Sequence, residues 1–400
     1  MSWQLLQGEP HSALPCILDH PGMHLSTSGR ASILLAIEML GIGPGDKVLV
    51  PTYHCPTMIA PVTAVGAEPV FYPVNVHGAA ALDWLRGISL GGIKAIQAAH
   101  YFGLPQEMQQ LRDWCDQQGI ALIEDCAHSL FGRSGDRPVG RWGDIAIGSL
   151  TKFLPVPEGG CLVVNRSLPP PPPLTHPSLK AQVKAGVDIV HVAADHQRLT
   201  GFNGLIKGAY AISRFFKRSH APVQAAASSM SQDAPMDGFT LDSQLSHRAL
   251  TAVCAWVARF ANRDRIVERR RHNYQELGRR LAGLPGMRPL FPQLAEGAAP
   301  YVFPLWVNEP DPGYSELRRL GIPVSRWDRL WPGIPELPGD VGTEWSHHVL
   351  QLACHQDLTA SDLDAVVQAL TRLYVSQAKA SHTITAGAAR APGTPVASQA

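Results

Sequence analysis

The sequence predicts an α/β fold, with a large domain on a mostly parallel sheet and a smaller α/β domain after it. From about residue 30 to 165, short apolar runs alternate with helical patterns, as expected for strands covered on both faces by crossover helices. An Arg- and Ala-rich helical region then leads to one more strand–helix pattern. A length of 400 residues suits one large and one smaller domain.

The elements follow in order. Ala31 to Leu40 carries a helical apolar pattern, and GIGPGDK turns the chain into the strand Val48 to Val50. Pro56 to Val65 is a helix, Pro69 to Tyr72 a strand, Ala95 to Ala99 another strand, and Glu107 to Gln118 a helix. Ala121-Leu122-Ile123 is a buried strand ending in Glu124-Asp125, followed by the strands Ile145 to Gly148 and Cys161 to Val164. Five consecutive prolines, Pro169 to Pro173, cannot sit in a central strand and form an extended spacer. Residues 174 to 240 show no steady period, although Gly204 to Arg218 reads as an amphipathic helix, for which packing on the protein's own core is preferred to a membrane surface or a partner. A long helical region spans Gln244 to Leu284, Tyr301 to Val307 is a strand, and helices cover Ser315 to Leu320 and Ala360 to Tyr374. The expected division is 1–243 for the large domain, 244–375 for the long helix and small domain, and 376–400 for a disordered tail.

Composition narrows the function classes. Charged residues make up 17% of the chain and the net charge is +1, which gives no reason to propose a nucleic-acid or anionic-membrane partner. The seven cysteines form no CxxC pair and read as reduced thiols, and the N-terminus lacks a signal-peptide pattern, so a cytoplasmic location is the expectation. His347, His348 and His355 lack ligand spacing, and no metal site is expected.

Three local features carry chemistry. Asp125 lies at the carboxyl end of a strand, where open parallel sheets bind ligands, and its charge would hold a heteroaromatic ring nitrogen protonated. A helix N-cap is the competing reading for this residue. Lys152, in Ser149-Leu150-Thr151-Lys152, leaves a strand into an apolar region that favours a neutral, imine-forming amine, with the Ser149 hydroxyl near enough to serve a phosphate. A loop lysine is the plain alternative. Ser28-Gly29-Arg30-Ala31 opens the first long helix, and helix N-termini bind phosphate. The glycine-rich Gly41 to Asp46 follows a helix and precedes a strand, the reverse of a dinucleotide fingerprint, and is a turn.

Taken in this order, the segments resemble the DegT/StrS-type family of sugar aminotransferases, within the fold type I (aspartate aminotransferase) superfamily. STSGRASILLAIEMLGIGPGDKVLVPTYH, ALIEDCAHSLFG and RWGDIAIGSLTKFLPVPEGG carry the likeness, clearly over about 25–165 and more loosely over 244–375. The resemblance implies a large sheet of the seven-stranded type and pyridoxal 5'-phosphate as cofactor. Lys152 would form the Schiff base and shuttle protons, and Asp125 would pair with the ring nitrogen. His128 falls where the family places a Gln or His near the ring oxygen, and Gly29, Arg30, Ala31 and Ser149 are the phosphate candidates. It also implies ping-pong transfer of an amino group from glutamate to a keto sugar nucleotide, through pyridoxamine phosphate, in a homodimer. Sugar dehydration on the same scaffold is disfavoured, because that branch replaces the lysine with His. Other amino-acid chemistry and a non-catalytic, regulatory protein are the remaining alternatives.

The chain departs from the family's pattern at three places. The phosphate serine sits three residues before the lysine rather than five. The ring-stacking aromatic falls at Cys55, so either Tyr53 or His54 stacks or no residue does. The G-x-N-x-R element has no clean match, with Asn203 the nearest substitute. Arg326, Trp327, Arg329 and Trp331 either line the pocket mouth for a charged or ring-bearing substrate or serve interdomain packing.

Overall fold

The computed structural model describes residues 12–196, 198 and 241–375. Strands β1 (Met23–Ser26), β2 (Lys47–Pro51), β3 (Glu68–Tyr72), β4 (Ile93–Ala99) and β5 (Ala121–Cys126) lead to a two-strand hairpin, β6 (Arg133–Ser134) and β7 (Arg137–Pro138). β8 (Ile145–Ser149) and β9 (Gly160–Val164) complete a seven-stranded sheet of order β1-β9-β8-β5-β4-β2-β3. Every neighbouring pair is parallel except the two that β9 makes, so β9 alone runs against the others. The predicted mostly parallel sheet is present.

Helices α1 (Gly29–Met39), α2 (Pro56–Ala64), α3 (Leu82–Gly87) and α4 (Gln109–Gln118) are the crossovers. The apolar faces of α1 and α2 close over β2, β4 and β8 in one core, where Ile37, Val48 and Ile59 are fully buried. Gly41 to Asp46 is the turn from α1 into β2. β1 and α3 were not expected: β1 is an edge strand too short to show alternation, and α3 holds six residues.

Beyond the proline run, α5 (Leu179–Asp195) is a 17-residue helix where no period was expected. Ala185, Ile189 and Ala193 face the core, but Leu179, Val183, Val187 and Val190 are exposed, so apolar residues lie on two faces and blur the repeat. The single long helix expected over 244–284 is instead α6 (Ser243–Ser246), α7 (Ala252–Phe260) and α8 (Arg263–Leu281). The break before α8 is built by Asn262, whose side chain caps it by accepting from the Arg265 N–H.

A second sheet of four strands, order β10-β11-β13-β12, is all antiparallel: β10 (Met287–Pro289), β11 (Val302–Val307), β12 (Val324–Ser325) and β13 (Val349–Ala353). It packs with α8, α9 (Gly313–Arg319) and α11 (Ala360–Leu370) around Phe303, Leu305, Leu317 and Leu370, while α10 (Gly342–His348) packs back against the large sheet through Trp345. The candidate helix 204–218, Asn203 and the tail from 376 lie outside the described residues. No helix among the described residues is long and apolar enough to cross a membrane.

Candidate functional site

A cavity of about 170 Å³ opens at the carboxyl ends of the parallel strands. The end of β1 and start of α1 give it Ser28, Gly29 and Arg30; Cys55, Thr57 and Met58 come from the start of α2. Ala99, His100 and Tyr101 come from the end of β4 and just after it, Asp125, Ala127 and His128 likewise from β5, and Ser149 and Lys152 from β8. Trp327 reaches in from the loop after β12.

Pleat alternation sends two adjacent carboxylates of β5 to different places. Asp125, 3% exposed, faces the cavity; one carboxylate oxygen accepts from the Ala127 N–H (2.9 Å) and the other from Gln97 Nε2 (3.0 Å). No helix follows, so the N-cap alternative falls: residues 127–132 turn back under the sheet. His128 lies in that turn. Burial raises the Asp125 pKa against the opposing pull of the Ala127 N–H, Lys152, Gln97 and His100. Glu124, fully buried, points away and accepts from His100 Nε2 (3.0 Å) and the N–H groups of Gly140 (2.7 Å), Trp142 (2.8 Å) and Gly143 (3.0 Å). Despite desolvation, these donors hold its carboxyl below the usual range.

Lys152 ends a 3₁₀ turn, Leu150–Lys152, directly after β8. Its Nζ lies 5.6 Å from the Tyr301 ring centroid, and it has no ion-pair partner among the described residues. Burial lowers its pKa, opposed by Cys55 and Asp125, which favours the neutral amine that an imine-forming lysine needs. His128 is buried between the rings of Tyr301 (4.6 Å) and Trp327 (5.0 Å). Its Nδ1 accepts from the Phe102 N–H (3.3 Å), and burial together with Lys152 keeps the imidazole neutral. That bond leaves the remaining proton on Nε2, a fixed donor. Phe102 holds this geometry at φ 61°, a left-handed conformation that a non-glycine residue rarely adopts.

At the opposite end of the cavity, Ser28 caps α1 by accepting from the Ala31 N–H (3.1 Å). Ala31 is fully buried and its donor is used, so it drops out of the phosphate set and Gly29 and Arg30 line the cavity instead. A Cβ at Gly29 would sit 3.3 Å from Ser149 Cβ and 3.5 Å from Gly148 O, so glycine brings the helix start against the Ser149 hydroxyl. This is a cradle of first-turn backbone and hydroxyl at a helix N-terminus, of the kind that holds a phosphate. Arg30 adds a guanidinium whose pKa burial lowers. Phosphate cradle, amine and buried carboxylate line one cavity, and this donor set fits pyridoxal 5'-phosphate.

Two expected contacts are not made. Tyr53 is fully buried beneath the cavity, accepting from Gln351 Nε2 (3.2 Å) and packed on Tyr101 and Trp327. His54 bonds Pro51 O (2.9 Å) through Nδ1, accepts the Trp331 N–H (2.9 Å) at Nε2 and stacks on Phe71; burial drives its pKa down to about 4. Neither ring is on the wall. Tyr101 and Trp327 are the rings that are, and His100 and Tyr101 could have been found because they follow β4 at its carboxyl end. Of the proposed mouth residues, Arg326 is held by Asp311 (2.8 Å) and Asp328 (3.0 Å), a packing role.

Comparison with known proteins agrees with this geometry. Residues 25–168 match the model of the DegT/DnrJ/EryC1/StrS aminotransferase family. GDP-perosamine synthase of Vibrio cholerae is 34% identical over 146 residues, 36% of this chain and 40% of that protein. dTDP-4-dehydro-2,3,6-trideoxy-D-glucose 4-aminotransferase of Saccharopolyspora spinosa is 32% identical over 136 residues, 33% of this chain and 35% of the relative. The matched stretch thus spans well under half the length of these relatives. Solved structures agree over most of the chain: the aminotransferase TlmJ from Streptoalloteichus hindustanus has a TM-score of 0.59 at 20% identity, covering 89% of this chain and 86% of that one. Helicobacter pylori PseC, an aminotransferase involved in the biosynthesis of pseudoaminic acid, has a TM-score of 0.61 at 14% identity, covering 90% and 88%. The fold is that of the fold type I aminotransferases, and residues 25–168 are similar to the DegT/DnrJ/EryC1/StrS aminotransferase family.

Proposed function

We propose that the protein is a pyridoxal 5'-phosphate-dependent aminotransferase that moves an amino group from an amino acid, glutamate, to a keto sugar nucleotide. One observation carries this reading: Lys152, Asp125 and the α1 N-terminus converge on one cavity at the carboxyl ends of the parallel strands. The sugar-nucleotide acceptor follows from the named activities of the relatives, and the glutamate donor from the family resemblance. A homodimer in the cytoplasm is part of the same proposal.

When bound, the cofactor supplies an electron-withdrawing ring that stabilises negative charge at the substrate carbon bearing the amine. The chain does the rest. Gly29, Arg30 and Ser149 would hold the phosphate, and the Asp125 carboxylate would keep the proton on the ring nitrogen. His128 Nε2–H would donate toward the ring oxygen. Lys152 Nζ would anchor the cofactor and, when free, would accept a proton from the substrate carbon that bears the amine and give it back one position along. Its lowered pKa favours the unprotonated form of that nitrogen. The Tyr101 and Trp327 rings flank the cavity and limit water.

Borohydride reduction of protein incubated with the cofactor, followed by peptide mapping, tests the base of the reading. A stable label on Lys152 is the expected result, and a label on any other lysine, or none, refutes it. Single-turnover incubation with glutamate should then convert the bound cofactor to its aminated form, which absorbs at shorter wavelength; no conversion with any amino acid would refute transamination.

A further inference from the structure

The turn that carries Lys152 is held from outside by two side chains that no element of the large sheet supplies. Within the turn, the Phe153 and Leu154 N–H groups both reach back to Leu150 O (3.1 and 2.8 Å). That leaves the Lys152 and Phe153 carbonyls without partners in their own segment, as at any short helical end. Arg270, on α8, donates from Nη2 to Lys152 O (2.9 Å). Gln356, just past β13, donates from Nε2 to Phe153 O (2.9 Å). Arg270 Nε donates in turn to Gln356 Oε1 (2.7 Å), so the two clamps are tied to each other.

Arg270 is an unusual residue to find doing this. It is 1% exposed, and among the described residues no carboxylate lies within ion-pair distance of it. Its other donors go to Tyr301 O (2.9 Å) and Pro300 O (3.3 Å), and its guanidinium carbon sits 4.6 Å from the Phe153 ring centroid and 5.9 Å from that of Tyr301. The Tyr301 ring is the one the Lys152 Nζ approaches. Burying a guanidinium against carbonyls alone costs several kcal/mol before its hydrogen bonds offset it. Stability is therefore a poor explanation for the residue, whereas fixing the reach of Lys152 is a sufficient one. Only a planar fork serves several carbonyls at once, so lysine could not replace it.

We propose that Arg270 and Gln356 are positioning residues: together they fix the backbone turn that aims the Lys152 amine into the cavity, tying it to α8 and the four-stranded sheet. The inference deepens the reading of Lys152 as the active amine and rests on it. The groups facing that amine are Asp125 from β5, His128 from the turn after it, Cys55 before α2, Arg30 on α1 and Tyr301 before β11. Loosening the turn changes the amine's exposure to all of them.

The test uses the full chain without cofactor and reads the fraction of Lys152 acetylated by brief acetic anhydride pulses across pH, by peptide mass spectrometry. In the wild type the profile should have its midpoint below that of an ordinary lysine. Arg270→Met and Arg270→Lys should both move it upward by about one pH unit, a roughly tenfold drop in free amine at neutral pH. Gln356→Met should move it in the same direction by less, and it decides the matter if the Arg270 variants do not fold. Tyr274→Phe, which removes a hydrogen bond to Phe291 O (2.6 Å) elsewhere on α8, should leave the profile in place. A folded Arg270→Met or Gln356→Met with the wild-type profile overturns the proposal, as does an equal shift in Tyr274→Phe. Failure of the borohydride label on wild-type Lys152 would instead sink the functional reading, and the acetylation profiles would still report on the turn.

Discussion

Glu124 and Asp125 are adjacent carboxylates on one strand, and replacing each by its amide should damage different things. In Glu124→Gln the amide oxygen can take over one end of the carboxylate and accept from Trp142 and Gly143. The amide nitrogen then faces the Gly140 N–H and His100 Nε2–H, both donors. His100 cannot swap its proton without orphaning the Gln106 N–H, which its Nδ1 accepts (3.1 Å). Two buried donors left unmade at ~1–3 kcal/mol each, plus the lost charge, put the cost at about 4 kcal/mol. The Glu124 pKa is lowered in the fold, so this stabilisation is present above the ordinary glutamate value and is lost as pH falls through the folded one. Urea unfolding followed by tryptophan fluorescence should show the full gap at pH 7 and a closing gap in acid.

Asp125→Asn should behave in the opposite way. Asn keeps the acceptor for the Ala127 N–H, and Gln97, whose Oε1 is buried without a partner, can turn its amide to accept from the new Nδ2. The turn exchanges one unpaired atom for another. The raised Asp125 pKa means the charged form costs stability as pH rises through it, so the neutral amide should be within ~1 kcal/mol of wild type, or better, at pH 7. Cofactor affinity, by contrast, should fall by roughly 30-fold or more, the effect of losing ~2 kcal/mol of a charged buried pair, measured by equilibrium dialysis. The reasoning fails if Asp125→Asn unfolds as easily as Glu124→Gln, or if it retains cofactor as the wild type does.

Gly160→Ala should be a strongly disruptive single methyl near the site. Its Cβ would fall 2.2 Å from Ser28 O and 2.6 Å from Ser26 Oγ, so the β1–α1 junction must move off β9, at roughly 3 kcal/mol or more and with loss of phosphate binding. Urea midpoints and retention of pyridoxal 5'-phosphate report the two effects separately. Gly186→Ala, inside α5 with nothing within 4 Å of the new Cβ, should stabilise by up to ~1 kcal/mol in the same urea assay and leave cofactor binding unchanged.

The large sheet was legible because its strands are buried on both faces and read as unbroken apolar runs, and Lys152, Asp125 and Gly29 were legible because each stands at a strand end or helix start. What escaped was set by tertiary contact. Tyr53 and His54 stand after β2, where sequence order would aim them at a ligand. Thr52 Oγ1, however, bonds Asp340 Oδ1 (2.6 Å) and His54 meets Trp331, both far along the chain, and these contacts turn the segment inward. Ala31 was lost to a local competitor, the Ser28 cap. Arg270 and Gln356 act through backbone carbonyls 118 and 203 residues away, and no spacing encodes such a contact.

The cavity's division of labour also accounts for Cys55. Where an aromatic would press on the cofactor ring, this chain places a thiol that accepts from Thr57 Oγ1 (3.1 Å), and the rings nearby come from Tyr101 and Trp327. Trp327 belongs to the loop after β12, whose far side is fixed by Arg326 to Asp311 and Asp328. One ring of the cavity wall is thus supplied by the four-stranded sheet, the same body whose Gln356 holds the Lys152 turn. Both the amine and the surface that a planar cofactor would meet are therefore anchored outside the large sheet. A change in how that second body packs would reach the site twice, through Trp327 and through the Lys152 turn.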